Sequence, residues 1–179
     1  MASSFSTSLK LEKMTTGEKA GLWGTTTNTN LDMVEQAVGG YVELSLASGN
    51  QTPAISDGAV SDGRNKVIKL TGTLSANRQL IFPDSCEKTY IVIDGTTRSS
   101  SHYTITIKTS SGTGVAMPVG STMLVIVDGT NVITGITQKG YVTTTGAYTA
   151  VNGDQVIVDT SAAAVTVTLP ASPSVGNEV

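Results

Sequence analysis

The chain has 179 residues, enough for one ordinary domain or two small ones, and a formal net charge of −3. It lacks the basic surplus that would hold a phosphate backbone, so nucleic-acid binding is disfavoured. Only 14% of the residues are charged, against about 25% in typical soluble domains, and Thr, Ser, Gly and Val are abundant instead. This composition favours strands joined by turns, with a surface that other subunits partly cover.

Cysteine usage and hydropathy limit where the protein is made. A single cysteine, Cys86, rules out an intrachain disulfide. The first 13 residues lack the apolar core of a signal peptide, and no apolar run is long enough for a membrane span. We therefore expect synthesis in the cytoplasm and no membrane insertion.

Residues 1–40 are the only part of the chain with helical character. Leu31, Val34 and Val38 fall on one face of a short helix, for which Asn30 is the predicted N-cap and Gly39-Gly40 the end. About two turns of helix cannot bury enough apolar area to be stable alone. We therefore expect this helix to pack against the following sheet or against another subunit.

Trp23, the lone tryptophan, lies between Gly21 and Gly24. A tryptophan buries a large area, and neighbouring glycines let the backbone approach closely or turn sharply. Two roles are open, a core anchor for the N-terminal segment or a docking side chain that enters a neighbouring subunit. The candidate subunit-docking residues are therefore Trp23, Leu31, Val34 and Val38.

Residues 41–138 change to a period of two, which indicates half-buried strands. Apolar and polar residues alternate from Val42 to Leu46 and from Tyr103 to Lys108, and further apolar runs lie around residues 67–70, 79–82, 90–93 and 124–127. Asp94-Gly95 and Asp128-Gly129 follow such runs and predict tight hairpin turns. The pattern predicts an antiparallel β-sandwich or barrel.

Residues 139–179 predict the start of a second small β-module. The segments 148–151, 155–158 and 165–169 have the composition of strands, and Val165, Val167 and Leu169 share one face. Three short strands in about 40 residues make a marginal core. We expect this module to continue beyond Val179, in a longer polypeptide.

Few residues offer catalytic chemistry. His102 is the only histidine, so a histidine-based metal cluster is impossible, and its place beside Ser99 and Ser100 favours a surface loop. Cys86 has only Lys88 as a nearby cation, which favours a small structural residue. Asp57 and Asp62 could offer oxygen ligands to calcium, but their spacing does not match a helix–loop–helix site. We expect a non-enzymatic protein with no cofactor, no metal and no catalytic residue.

The N-terminal block carries a resemblance to a known class of proteins. It runs from Leu9 to Tyr41 and combines a Leu-x-Leu-x-x-Met-x-Thr-Gly segment, Trp23-Gly24 and the Thr27-Asn-Thr-Asn-Leu31 helix start. It resembles the N-terminal part of tail-fibre-like virion structural proteins of marine tailed phages, especially those that infect cyanobacteria. Residues 148–173 are similar to a module found in phage fibre and appendage proteins.

The resemblance implies a role in a particle. The chain would be the N-terminal attachment region of a tail fibre or baseplate-associated fibre, a trimer that contacts other tail or baseplate proteins while more distal parts serve host attachment. It would be made in the host cytoplasm and end in the virion. Two alternatives stay open, a head fibre or capsid decoration protein and a host-glycan receptor-binding module.

Overall fold

The computed structural model describes residues 4–100, 102–138, 141–151 and 153–171, with only the backbone of residues 136–138. The described chain is mainly β, with one α-helix and several sheets, as the sequence predicts. It divides into two compact units, residues 1–137 and 138–179. Within the described residues, no helix has the length and apolar character needed to cross a membrane.

The described chain has one α-helix, two short strands before it and fourteen strands after it. The helix is α1 (Trp23–Gly39), and a one-turn 3-10 helix covers Asp62–Arg64. The strands are β1 (Ser4–Phe5), β2 (Glu12–Lys13), β3 (Tyr41–Ser45), β4 (Val67–Thr71), β5 (Thr73–Leu74), β6 (Arg78–Phe82), β7 (Glu87–Asp94), β8 (Thr97–Arg98), β9 (Ile105–Thr109), β10 (Gly114–Met117), β11 (Thr122–Asp128), β12 (Val132–Gln138), β13 (Tyr141–Thr144), β14 (Tyr148–Thr149), β15 (Gln155–Val158) and β16 (Val167–Thr168).

In the first unit, the chain winds through two successive, similar sets of three strands, which we call rounds. The first round is β4, β5 and β6, and the second is β7, β8 and β9. Each strand of the second round lies parallel beside its counterpart in the first, with Val67 opposite Ile91, Thr73 opposite Thr97 and Leu80 opposite Ile107. β3, which precedes both rounds in the chain, pairs in parallel with β4. Stacked rounds of this kind form a solenoid, in which each round contacts mainly its neighbours.

Antiparallel strands follow the second round. β10 pairs with β9 and β11 pairs with β7, both antiparallel, and β12 lies beside β11 at the edge of the five-stranded sheet. The inward-facing residues of the rounds form one apolar core. Its fully buried members include Ile68, Leu70, Leu74, Leu80, Phe82, Val92, Ile105 and Ile107.

The topology leaves one detail of the predicted sheet unconfirmed and contradicts another. Antiparallel pairing is found only in part of the unit, and no sheet closes in the described residues, so a sandwich or barrel is not confirmed. A period of two fixes which side chains face inward, but it does not encode whether the partner strand runs parallel one round away. The Asp94-Gly95 hairpin is wrong, because these residues form a corner between β7 and β8, and the N–H of Gly95 donates to the carbonyl of Leu70.

The predicted helix start is wrong as well. α1 begins at Trp23, eight residues before Leu31, and its N-cap residue, Leu22, makes no capping side-chain bond. Asn30 is therefore inside the helix, and its side chain bonds to the backbone of β2 instead. The predicted end is right, since the helix ends at Gly39 and the N–H of Gly40 donates to the carbonyl of Gln36.

The second unit repeats parallel pairing on a smaller scale. β13 pairs in parallel with β15, and β14 with β16, so the strands predicted within 148–151, 155–158 and 165–169 are all present. Of its described residues only Ala150 and Asp154 are buried. Tyr148 and the main chain of Val151 both donate to the carboxylate of Asp154.

Candidate docking surface

The inner face of α1 is fixed to the N-terminal hairpin and to the loop before β4. Met33 and Thr26 are buried there. The side chain of Asn30 bonds to both backbone groups of Glu12, at 3.0 and 2.9 Å, and the N–H of Ser61 donates to the side-chain oxygen of Gln36 at 3.2 Å. α1 is therefore held by directed polar contacts as well as by burial.

A buried arginine holds the N-terminal segment against the same loop. Arg64 is fully buried, and its guanidinium donates to the carbonyls of Leu9 at 2.9 Å and Ser56 at 2.7 Å, to the carbonyl of Ala59 and to the hydroxyl of Ser61 at 3.1 Å. No carboxylate of the described residues pairs with it. Burial lowers the pKa of Arg64 from its ordinary value, and four hydrogen bonds to neutral oxygens keep the cation in place.

The outer face of α1 carries the four residues predicted to dock. At 100° per residue, Trp23, Leu31, Val34 and Val38 fall within an arc of about 80° along the helix, together with the half-buried Thr27. Their exposed fractions are 63% for Trp23, 61% for Leu31, 38% for Val34 and 72% for Val38. The core-anchor role for Trp23 is therefore wrong in the single chain, because the indole lies mostly in solvent. We call these four residues the apolar arc.

Acidic residues lie beside the apolar arc. Around the helix, Glu35 lies about 40° and Asp32 about 100° beyond Leu31, and both line a cavity of about 400 Å³ at the end of α1 together with Tyr41 and Asn65. The last turn of α1 has no basic residue, so the negative end of the helix dipole adds to these two carboxylates. Within the described residues neither Asp32 nor Glu35 forms an ion pair.

The remaining sequence candidates do not meet in one place. His102 is exposed, and its Nδ1 lies 3.2 Å from the hydroxyl of Ser100. Asp57 is exposed, 3.9 Å from the amine of Lys10, and Asp62 begins the 3-10 helix. In the part of the chain that the structure describes, no cluster of three or more His, Cys, Asp or Glu residues could hold a metal ion.

Cys86, directly before β7, belongs to a buried cluster with two residues of that strand, which the sequence did not indicate. Its sulfur lies 3.6 Å from the hydroxyl of Tyr90, and burial raises the pKa of both groups. The amine of Lys88 lies 3.9 Å from the centre of the Tyr90 ring and donates to the carbonyl of Asn65 at 2.8 Å. Burial, with a smaller contribution from the nearby cations of Lys66 and Arg64, lowers the pKa of Lys88 to about 8. A thiol with a raised pKa is a poor nucleophile at neutral pH, so Cys86 is structural.

A second polar cluster lies at the corner after β7. The carboxylate of Asp94 accepts bonds from the N–H and hydroxyl of Thr96, from the N–H of Gly120 at 2.9 Å and from the guanidinium of Arg98 at 2.8 Å. Burial alone would raise the pKa of Asp94, but these hydrogen bonds together lower it. Asp94 therefore joins β7, β8 and the turn before β11.

Comparison with known proteins gives no match: no protein-family model, no curated protein and no solved structure is similar to this chain. The resemblance to phage fibre proteins therefore stays a prediction from the N-terminal block.

Proposed function

We propose that this chain is a non-enzymatic structural component of a phage virion, the N-terminal attachment region of a tail fibre or baseplate-associated fibre. The observation that carries the proposal is the apolar arc. Four large apolar side chains stand in solvent on one helix face, within the block that resembles phage fibre proteins. Single exposed apolar residues are ordinary, but a contiguous patch indicates an interaction surface.

The contacts that fix α1 within the first unit support an attachment role. Asn30, Gln36 and the buried Arg64 fix the helix and the N-terminal segment to the loop before β4. A surface ordered before binding loses little conformational entropy when a partner arrives. The apolar arc is therefore preorganised for docking.

We further propose that the chain forms a trimer in the virion. The second unit supports this, because Tyr141, Ile157 and Leu169 are exposed and few of its described residues are buried. A unit of this size seldom buries enough apolar area to be stable without further support. Contacts with other copies would supply the missing burial.

Immunogold electron microscopy of phage particles that encode this chain tests the proposed function. Label at the tail or baseplate is the expected result. Label over the head would favour a head fibre or decoration protein, and particles without label would contradict a virion role. Light scattering coupled to gel filtration tests the trimer, which predicts three times the monomer mass. A monomer at all concentrations would contradict the trimer for this part of the fibre.

A further inference from the structure

The apolar arc has the dimensions of a helix-packing surface. From Trp23 to Val38 it extends about 22 Å along α1, at 1.5 Å per residue. It is narrow, with Thr27 between Trp23 and Leu31, and has the width of the apolar stripe by which one helix packs beside another. An occupant with a matching stripe of about four turns would cover it.

The charges beside the apolar arc select the occupant. Glu35 lies on one flank, about 40° beyond Leu31 and in the last two turns of α1, while Asp32 lies about 100° beyond Leu31, and α1 contains neither lysine nor arginine. A partner with cations beside its apolar stripe would face Glu35 first. The cavity between Glu35, Tyr41 and Asn65 has room for the end of a long basic side chain.

We propose that the apolar arc binds an amphipathic helix of a different protein, with lysine or arginine beside its apolar stripe. This inference rests on the proposed function and specifies the attachment partner by its chemistry. Leucine-like side chains of the partner cover Trp23, Leu31 and Val38, and its cations pair with Glu35 and reach the cavity that Glu35 and Asp32 line. Charge complementarity of this kind sets the orientation of the partner and speeds association.

Two other occupants fit less well. A second α1 has no cation to offer, so packing two copies of this helix would bring further carboxylates to the interface without a counter-charge on either helix. An anionic membrane surface would repel the acidic flank, since helices that lie on membranes carry basic residues there. The charge pattern therefore favours a basic protein segment.

The size of the surface sets the expected affinity. Four exposed side chains amount to a few hundred Å², less than the roughly 800 Å² per partner of a standard interface. One site should therefore bind weakly, with a Kd on the order of 10–100 µM. Three copies in a trimer would engage a multivalent partner more tightly without any new contact.

Three synthetic 18-residue helical peptides without tryptophan test the proposal on the whole 179-residue chain. The first carries a leucine stripe flanked by lysines, the second the same stripe flanked by glutamates, and the third a serine stripe flanked by lysines. Trp23 is the only tryptophan, so its emission reports contact with the apolar arc. We expect a saturable blue shift with the first peptide, and binding at least about tenfold weaker for the other two.

Variants assign the binding to the apolar arc and its acidic flank. Leu31→Asp should weaken the first peptide at least about tenfold, and the double variant Asp32→Asn, Glu35→Gln about fivefold, with a flatter salt dependence. Val119→Asp, at an exposed apolar residue between β10 and β11, is the matched control and should bind like the unmodified chain.

Three results would overturn the inference. The leucine–glutamate peptide could bind as tightly as the leucine–lysine peptide, or the leucine–lysine peptide could fail to bind at millimolar concentration. Trp23 could also be buried already in an oligomer that Leu31→Asp dissociates, which would make a second copy the occupant. None of these results changes what immunogold labelling of the particles would show. The labelling tests the proposed function and the peptides test this inference, so either can fail without the other.

Discussion

Asn30 and Glu12 hold each other through two hydrogen bonds. The N–H of Glu12 donates to Oδ1 of Asn30 at 3.0 Å, and Nδ2 of Asn30 donates to the carbonyl of Glu12 at 2.9 Å. The side chain of Asn30 thereby bonds the backbone of β2 in the way that a neighbouring strand would. Because this pair lies between the N-terminal hairpin and α1, it fixes the direction in which the apolar arc faces.

Replacing Asn30 with alanine should lower the free energy of unfolding by about 1–2 kcal/mol, since both backbone groups of Glu12 lose their partner. The measurement is urea denaturation, with hydrogen exchange of the α1 amides as a local readout. Asn28→Ala is the matched control, because Asn28 is exposed on the same helix and the gain in helix propensity is equal. Equal effects of the two substitutions would contradict the role given to Asn30.

Arg64→Met should destabilise the first unit by at least about 3 kcal/mol, because the buried carbonyls of Leu9, Ser56 and Ala59 lose their donor. We expect chymotrypsin to cleave near Phe5 much faster in this variant, as the N-terminal segment detaches. Arg64→Lys keeps the charge but offers a compact ammonium in place of the planar fork, and should rescue only part of the loss. Unchanged cleavage near Phe5 in Arg64→Met would rule out this anchoring role.

Stability should fall at acid pH partly through Asp94. Its folded-state pKa is lowered, so its contribution is complete above the ordinary carboxyl range and is lost as pH falls through the folded pKa. Asp94→Asn should cost about 3 kcal/mol near pH 7, because it leaves the guanidinium of Arg98 buried without its charge partner. In urea denaturation from pH 7 to pH 2, the difference in stability between the wild type and Asp94→Asn should shrink as the pH falls.

The matched control for Asp94 is Asp57→Asn, at an exposed carboxylate 3.9 Å from the amine of Lys10. A change within about 0.5 kcal/mol is expected there. A constant difference between the wild type and Asp94→Asn across the whole pH range would show that the lost stability does not come from the ionised carboxylate.

Lys88 should also make stability rise with pH, but in the alkaline range. Its pKa is about 8 in the folded chain against 10.5 ordinarily, so between these values the unfolded state binds a proton that the folded state does not. Stability contributed by this residue therefore rises with pH through that window. The advantage of the chain over Lys88→Met should grow from pH 7 to pH 9.5 in urea denaturation.

Both chains in the Lys88 comparison should carry Cys86→Ala. Burial raises the pKa of Cys86, so its contribution to stability falls with rising pH in the same range and would oppose the trend. A pH-independent difference between the two chains would mean that Lys88 keeps its proton in the folded state.

The sequence predicts where the strands lie better than it predicts which strands pair with each other. Alternation locates β3 and β9 because burial on one face leaves a period of two, and apolar runs locate β4 and β11. Neither pattern carries information on the parallel partner one round away, such as Ile91 opposite Val67. The direction of pairing depends on how the corners turn, and the Asp94 corner depends on Arg98 and Gly120, which no local pattern connects.

The sequence also predicts the helix and its docking residues only in part, because it shows spacing along one face but not contacts with distant residues. Leu31, Val34 and Val38 share a face in any helix, and the spacing of Trp23 extends that face once the helix begins there. Gly24 and the run of threonines after it have low helix propensity, so the first two turns depend on burial of Thr26 and on the bond from Asn30 to β2. Arg64 lies in a polar turn sequence, where burial of a cation has no sequence signal.

Incorporation of variants into phage particles tests the central claim, that the apolar arc attaches the chain to the virion. A phage lacking the gene for this chain is complemented with the unmodified chain, Leu31→Asp or Val119→Asp, and the chain is quantified in purified particles. Both substitutions place a carboxylate at an exposed apolar residue, so folding should survive in each. The account predicts that Val119→Asp is incorporated normally and Leu31→Asp is absent. Normal incorporation of Leu31→Asp would contradict it.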